Sequence, residues 1–144
     1  MFKLAGSILV MCSTVFISGQ KVLKYYFTYR FLQKVADTIK TIQYENATNM
    51  PYPQFFERIS FDKNMFFSKA KSNGYILYKE IETAKMFFDN LGRRDKIGET
   101  EYLNYNFEVF TAKSKEYYSR YNEIKKTHIL CGIAVGLFII IFLA

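Results

Sequence analysis

Imidazole and thiolate side chains are the usual metal ligands and nucleophiles of proteins, and this 144-residue chain has one His and two Cys. A structural zinc site of the usual kind needs four such ligands, so these three are too few. His128 stands beside the apolar segment that ends the chain, where partners for a triad or a metal site are missing. Cys12 and Cys131 lie inside two apolar segments. The sequence therefore predicts no metal site, no cofactor and no nucleophile.

Carboxylate pairs are the remaining groups that could carry acid–base chemistry. Glu80 and Glu82, and likewise Glu99 and Glu101, stand two residues apart in segments with helical periodicity. Side chains two apart point to different faces of a helix, so all four are predicted to be solvated surface groups. The sequence also lacks a phosphate-binding loop ending in Gly-Lys-Ser/Thr. We therefore expect a protein that is not an enzyme.

The chain has an uncharged segment at each end, and these two segments must position any functional surface that lies between them. Residues 4–19 and 129–144 carry no charge, whereas the segment between them holds all 13 acids and every Lys and Arg except Lys3. As a helix each would span roughly 24 Å. That is slightly less than the hydrocarbon core of a membrane, and flanking polar residues can extend it. We predict transmembrane helices at 1–20 and 129–144 around a helical domain at 21–128, with membrane lipid as a partner.

Two alternatives remain open for these segments. In the first alternative, the two segments are buried helices of a soluble core, although the absence of charge from both segments argues against it. The first segment could instead be a cleaved signal peptide, since it follows a short basic start. It ends in Phe16-Ile17-Ser18-Gly19, which lacks the small-residue pattern of a cleavage site. A retained N-terminal anchor is therefore favoured.

Basic residues close to the spans predict the orientation in the membrane. Only Lys3 lies on the outer side, and nine residues lie on the inner side: Lys21, Lys24, Arg30, Lys34, Lys113, Lys115, Arg120, Lys125 and Lys126. By the positive-inside rule, the domain at 21–128 is cytoplasmic and both termini lie outside. The net charge of +7 suits anionic lipid. Nucleic acid is not expected as a partner, because the Tyr and Phe residues follow helical stripes that are typical of core packing.

Gly132 and Gly136 stand four apart in the C-terminal segment. Such a spacing makes a flat strip along which a second helix can approach closely in lipid, so we predict a helix-packing site there. The first span is a candidate partner, because it has small residues around Gly6. The alternative is that small residues are common in any membrane helix.

The middle of the chain has helical periodicity throughout. Apolar or neutral residues recur at steps of three and four in two long stretches, and each stretch predicts a helix continuous with its span. The first stripe is Tyr25, Thr28, Leu32, Val35, Ile39 and Ile42; the second is Leu103, Phe107, Phe110, Ser114, Tyr117, Tyr121, Ile124 and His128. The predicted fold is all-α: an antiparallel helical bundle with two long helices continuous with an N-terminal and a C-terminal transmembrane helix.

Shorter helices are predicted between the two long ones. The stretch 49–53 should break the first long helix, because Pro51 cannot continue it and Pro53 suits the first turn of the next. A helix is expected at about 53–60, another after an Asp62 cap, and a third over about 77–91 that Gly92 ends. Residues 72–74 (SNG) predict a turn.

The layout and three short stretches resemble the stage III sporulation protein AB family of endospore-forming bacteria. The stretches are the opening 3–6 (KLAG) with its span and basic exit, residues 42–45 and 50–59 (IQYE and MPYPQFFERI), and residues 88–95 (FDNLGRRD) followed by a long helix and a glycine-bearing span. The resemblance implies a membrane component of the assembly that links mother cell and forespore. Members are similar to the inner-membrane platform protein of type II secretion and type IV pilus systems.

By this resemblance the partners would be a cytoplasmic secretion-type ATPase, the family's AA protein, and other membrane components of the mother cell–forespore complex. The location would be the mother-cell membrane around the forespore. The alternative is a small two-span membrane protein of phage, holin or regulatory type unrelated to secretion, although a large folded insert argues against a simple pore former.

The candidate docking surface is the segment Gly92, Arg93, Arg94 and Asp95. Four polar or flexible residues between two apolar helices should be exposed, and exposed structured loops carry function more often than packing. The alternative is a solvated turn with Gly92 as a helix cap. Pro51 and Pro53, at the start of the second helix, form the next candidate surface.

Overall fold

A computed structural model describes residues 2–46 and 50–143. Within these ranges every regular element is a helix and there is no strand, which confirms the all-α class. The five helices of the described part are α1 (Phe2–Asn46), α2 (Tyr52–Arg58), α3 (Lys63–Asn73), α4 (Tyr78–Asp89) and α5 (Lys96–Leu143). Asn49, the first residue of the predicted helix break, lies outside the described residues.

The two terminal helices, α1 and α5, are long and apolar enough, by length and composition, to cross a membrane. Each runs without interruption from an apolar terminal segment into the charged middle of the chain. The apolar segments are exposed: Leu9 and Ile141, for example, are 73% and 72% accessible. They therefore do not form the core of this chain, contrary to what a soluble helical core would require.

Pairs of side chains connect α1 with α5 along much of their lengths. The Ser18 hydroxyl lies 2.7 Å from Nδ1 of His128, the rings of Tyr25 and Tyr117 are 6.0 Å apart, and Gln43 donates to Asn104 at 2.7 Å. Later residues of α1 thus meet earlier residues of α5. The Tyr26 and Tyr121 rings also lie 5.3 Å apart, so aromatic side chains of the two helices face each other.

The core follows the two stripes predicted for the long helices. On α1 the residues from Thr28 to Ile42 of the stripe are at most 1% accessible. On α5 Leu103 and Phe110 are equally buried, whereas Phe107 is half-buried. The shorter helices close the core with aromatic rings; the buried ones are Phe55, Phe67, Phe87 and Phe88.

The short helices begin and end close to the predicted residues, but the prediction that Gly92 ends the third is wrong, because α4 ends at Asp89 with Asn90 as its C-cap. Asp62 caps α3 by accepting from the Met65 backbone N–H at 3.2 Å, as predicted, and Gly74 ends it with a φ of +74°. Helix α2 begins one residue earlier than predicted, with Pro53 in its first turn. The buried Thr28 hydroxyl accepts from the Leu77 N–H at 3.1 Å, which fixes the start of α4 against α1.

Candidate functional site

The segment Gly92–Asp95 connects α4 with α5, and all four residues are exposed. Gly92 has a φ of +77°, a conformation that side chains with a Cβ rarely adopt. A Cβ at this position would also lie 3.3 Å from the ring of Tyr52. Glycine is therefore required here both by the backbone and by the close approach of α2.

The carboxylate of Glu99 joins the two candidate surfaces. Its Oε1 accepts from the Tyr52 hydroxyl at 2.8 Å and from the Gly92 N–H at 2.9 Å. Tyr52 stands between Pro51 and Pro53, so both predicted surfaces meet around this one oxygen. We call the residues 51–53 and 92–95, together with Glu99, the corner. Although the surfaces are 40 residues apart in sequence, the corner holds them as one unit.

The second oxygen of Glu99 is buried and has no hydrogen-bond partner in the described part of the chain. Its nearest cation is Arg94, with Nη1 at 3.9 Å. The position of Glu99 in the first turn of α5 favours its negative charge, because the backbone N–H groups there point towards it. The corner is therefore organised by one buried carboxylate.

Arg93 and Arg94 have different surroundings although they are adjacent. The guanidinium of Arg94 lies 3.6 Å from the ring centroid of Tyr102 and donates to the Asn90 carbonyl at 2.9 Å. Arg93 is exposed and makes no hydrogen bond or ion pair within the described residues. Arg94 thus stabilises the connection between α4 and α5, and Arg93 is the cation that a partner can reach.

Asp95 is the N-terminal cap of α5. Its Oδ1 accepts from the Gly98 N–H at 3.0 Å, and its backbone carbonyl accepts from the Glu99 N–H at 2.8 Å. A Cβ at Gly98 would lie 2.7 Å from that Oδ1, so the cap depends on glycine there. Part of the predicted docking segment therefore has a structural role.

Pro51 and Pro53 are both exposed at the start of α2. Pro51 occupies the position before the helix, and its carbonyl accepts from the Phe55 N–H at 3.0 Å. Phe55 is buried and anchors α2 in the core. The two proline rings consequently flank Tyr52 on a rigid helix start.

The pKa of Tyr52 is raised well above its usual range, first by burial and then by its hydrogen bond to Glu99. The phenol is therefore a proton donor to the carboxylate over the whole physiological range. At the end of α4 that leads into the corner, the hydrogen bond from the Lys63 ammonium holds the pKa of the Asp89 carboxyl below its usual range.

The prediction that Glu80 and Glu99 are solvated surface groups is wrong. Glu80 is 3% and Glu99 is 5% accessible. Glu80 pairs with Lys113 at 3.1 Å and accepts from the Tyr117 hydroxyl at 3.0 Å. Burial and this hydrogen bond raise the pKa of Tyr117 to about 12. A buried carboxylate needs such partners, and those of Glu80 come from α5, 33 residues or more further along the chain.

Gly132 and Gly136 have no close neighbour in the described part of the chain. A Cβ at either position, or at Gly6, would meet no atom within 4 Å. An apolar space of about 290 Å³, lined by Leu4 and Ile139 among others, instead separates the outer parts of α1 and α5. Packing of another helix against Gly132 and Gly136 stays a prediction.

The groups that could do chemistry are not brought together. Among residues 2–46 and 50–143 there is no cluster of three His, Cys, Asp or Glu side chains suited to a metal ion. Cys12 and Cys131 are unpaired and exposed. The Ser18 hydroxyl that contacts His128 also donates to the Val15 carbonyl at 2.9 Å, so it is already engaged. The arrangement offers a surface for binding.

Comparison with protein-family models, with curated proteins and with solved structures gave no match to this chain.

Proposed function

We propose that this protein is a non-enzymatic, two-span membrane platform whose cytoplasmic domain docks a protein partner at the corner. The observation that carries the proposal is the unbroken course of α1 and α5 from exposed apolar segments into the packed domain. An exposed apolar helix is stable when lipid surrounds it. A helix without a break also fixes the domain relative to the membrane.

In this arrangement α1 and α5 form an antiparallel bundle that stands upright on the membrane. The contacts from Ser18–His128 to Gln43–Asn104 support it. The 27 residues of α1 from Gln20 to Asn46 correspond to a rise of about 40 Å. The corner would therefore project into the cytoplasm, at the end of the domain furthest from lipid.

The corner suits docking because it is exposed and yet conformationally fixed. A partner that binds a preorganised surface does not have to order it, so less of the interaction free energy is lost. The proline rings at the start of α2 offer rigid apolar contact area, and Arg93 offers an exposed cation. The buried Glu99 keeps these elements in register.

The resemblance to the sporulation AB family suggests the partner: a cytoplasmic secretion-type ATPase, the AA protein of that family. It also suggests the mother-cell membrane around the forespore as the location, with other membrane components of the complex as neighbours. This assignment rests on analogy, because related folds serve many functions.

The experiment measures association of the full chain, in nanodiscs of neutral lipid, with the purified ATPase from the same organism. We expect saturable binding that Arg93→Glu weakens by about tenfold at low salt, because rim charges act mainly on the association rate and its salt dependence. The matched control is Lys79→Glu, an exposed lysine of α4 without an ion pair in the described residues. Absence of binding by the unmodified chain removes the ATPase as partner.

A further inference from the structure

A second surface lies between α1 and α3, away from the corner. Arg30 and Lys34 of α1 and Lys69 and Asn73 of α3 surround an open space of about 310 Å³ whose apolar side includes Phe27 and Phe66. We call this space the basic groove.

The charges of the basic groove have one sign. Arg30, Lys34 and Lys69 are exposed, and none of them forms an ion pair within the described residues. No acidic side chain lines the groove. The cations elsewhere on α3 differ, since Lys63 pairs with Asp89 and Lys71 with Glu82. Three unpaired cations around one space favour a negatively charged occupant.

Aromatic rings make the apolar part of the groove rigid. Phe31 and Phe66 are stacked with their centroids 5.4 Å apart, and Phe31 is 4% accessible. Phe27 stacks on Tyr75 at 5.8 Å. The exposed parts of such rings offer contact area that need not be ordered on binding. The occupant should therefore bring apolar side chains as well as negative charge.

The height of the groove above the membrane argues against a lipid headgroup as the occupant. Arg30 is ten residues beyond Gln20 and Lys34 fourteen, so on an upright α1 they lie about 15 Å and 21 Å from Gln20. The headgroup layer is only about 5–8 Å thick on each side of the hydrocarbon core. This step rests on the two-span arrangement proposed above.

A second copy of the chain in the same membrane is disfavoured by its charge. Each copy carries a net charge of +7, and Glu116, an exposed acid of α5 close to the level of the groove, is already paired with Arg120. Two such domains therefore repel one another overall.

We infer that the basic groove binds an acidic segment of a different protein, one that carries aromatic or branched apolar side chains between its carboxylates. It is separate from the corner, so the platform would hold two contacts at different heights. Partners at both surfaces could bind at the same time.

The probe is a dye-labelled helical peptide with Glu and Leu on one face, measured by fluorescence anisotropy against the full chain in nanodiscs of phosphatidylcholine. We expect Arg30→Gln/Lys34→Gln/Lys69→Gln to weaken binding by about tenfold or more, because three surface ion pairs are lost together. The matched control, Lys79→Gln/Lys96→Gln/Lys126→Gln, removes the same charge from unpaired lysines elsewhere and should change binding by less than about twofold.

A neutral blocking variant separates the groove from the general positive field. Asn73→Trp keeps every charge but fills the space, so it should also weaken the acidic peptide. Equal effects of the two triple variants, or full binding by Asn73→Trp, would overturn the proposal. Displacement of the peptide by phosphatidylglycerol in the nanodisc would show that the groove holds a lipid headgroup instead.

Membrane insertion is scored separately from peptide binding. A chain that does not incorporate into nanodiscs contradicts the two-span arrangement. The same peptide titration in a neutral maltoside detergent then still decides whether the groove binds an acidic segment.

Discussion

Removal of the Glu99 carboxylate should loosen the corner by a predictable amount. Glu99→Leu deletes the acceptor of two hydrogen bonds, from Tyr52 and from Gly92. Hydrogen bonds to a charged group contribute about 1.5–3 kcal/mol each. A donor that loses its acceptor has a smaller free-energy penalty where water can reach it. Both donors are partly accessible. We therefore expect a loss of about 2–4 kcal/mol in the free energy of unfolding.

Glu99→Gln removes the negative charge but keeps an oxygen that can accept hydrogen bonds. The amide oxygen can keep both hydrogen bonds, whereas their charge assistance, the favourable position at the helix start and the pairing of Oε2 with Arg94 are lost, so the expected loss is about 1–2 kcal/mol. The matched control is Glu101, two residues further along α5, which is exposed and has no partner in the described residues. Glu101→Leu and Glu101→Gln should change stability by less than about 0.5 kcal/mol.

The assay is urea unfolding of the full chain in a neutral detergent, followed by near-ultraviolet circular dichroism. The chain has 12 Tyr and no Trp, so this signal reports the packing of the tyrosine rings. Combining Glu99→Leu with Tyr52→Phe tests the pair, because both changes remove the same hydrogen bond and their effects should not add. Equal stability of Glu99→Leu and Glu101→Leu would refute the organising role of Glu99.

High pH, core truncation and thiol labelling test other parts of the structure. Burial and Glu80 raise the pKa of Tyr117 from 10.0 to about 12, so the contribution of the protonated phenol to the free energy of unfolding is complete below pH 10 and is lost as the pH rises through 12. In urea titrations at high pH, Tyr117→Phe should therefore lose less stability with rising pH than the unmodified chain. Phe110→Ala should cost about 3–5 kcal/mol in the same assay, and the half-buried Phe107 clearly less; equal losses would contradict the described core. Arg93→Cys in a chain without its native cysteines should react with an impermeant thiol reagent only after cells are permeabilised, and labelling of intact cells would contradict the cytoplasmic placement.

The long helices could be predicted from the sequence because their signal is repeated. Six positions of the α1 stripe recur at steps of three and four, and five of them, from Thr28 to Ile42, are buried. A single misplaced residue does not change such a pattern. The Asp62 cap was equally predictable because that residue type has one local role, and the turn predicted at residues 72–74 lies where Gly74 ends α3. These are properties of neighbouring residues, so the sequence shows them directly.

The burial of Glu80 and Glu99 could not be predicted in this way. A carboxylate two residues from another looks like a helix surface, and the groups that decide otherwise are remote: Lys113 and Tyr117 for Glu80, and Tyr52 for Glu99. One sign was visible beforehand. Glu80 stands next to Ile81 of the buried stripe of α4, where a charge is tolerated only if it is paired.

The docking segment 92–95 also combines a feature that the sequence predicts with features that depend on remote contacts. Its composition predicted exposure, and all four residues are exposed. Exposure alone did not separate their roles, because each role depends on a contact outside the segment: Gly92 on Glu99, Arg94 on Tyr102, and Asp95 on Gly98. Arg93 is the residue left without such a contact. A change there perturbs a partner without perturbing the fold, which is why the binding experiment depends on Arg93 rather than on the Arg93–Arg94 pair.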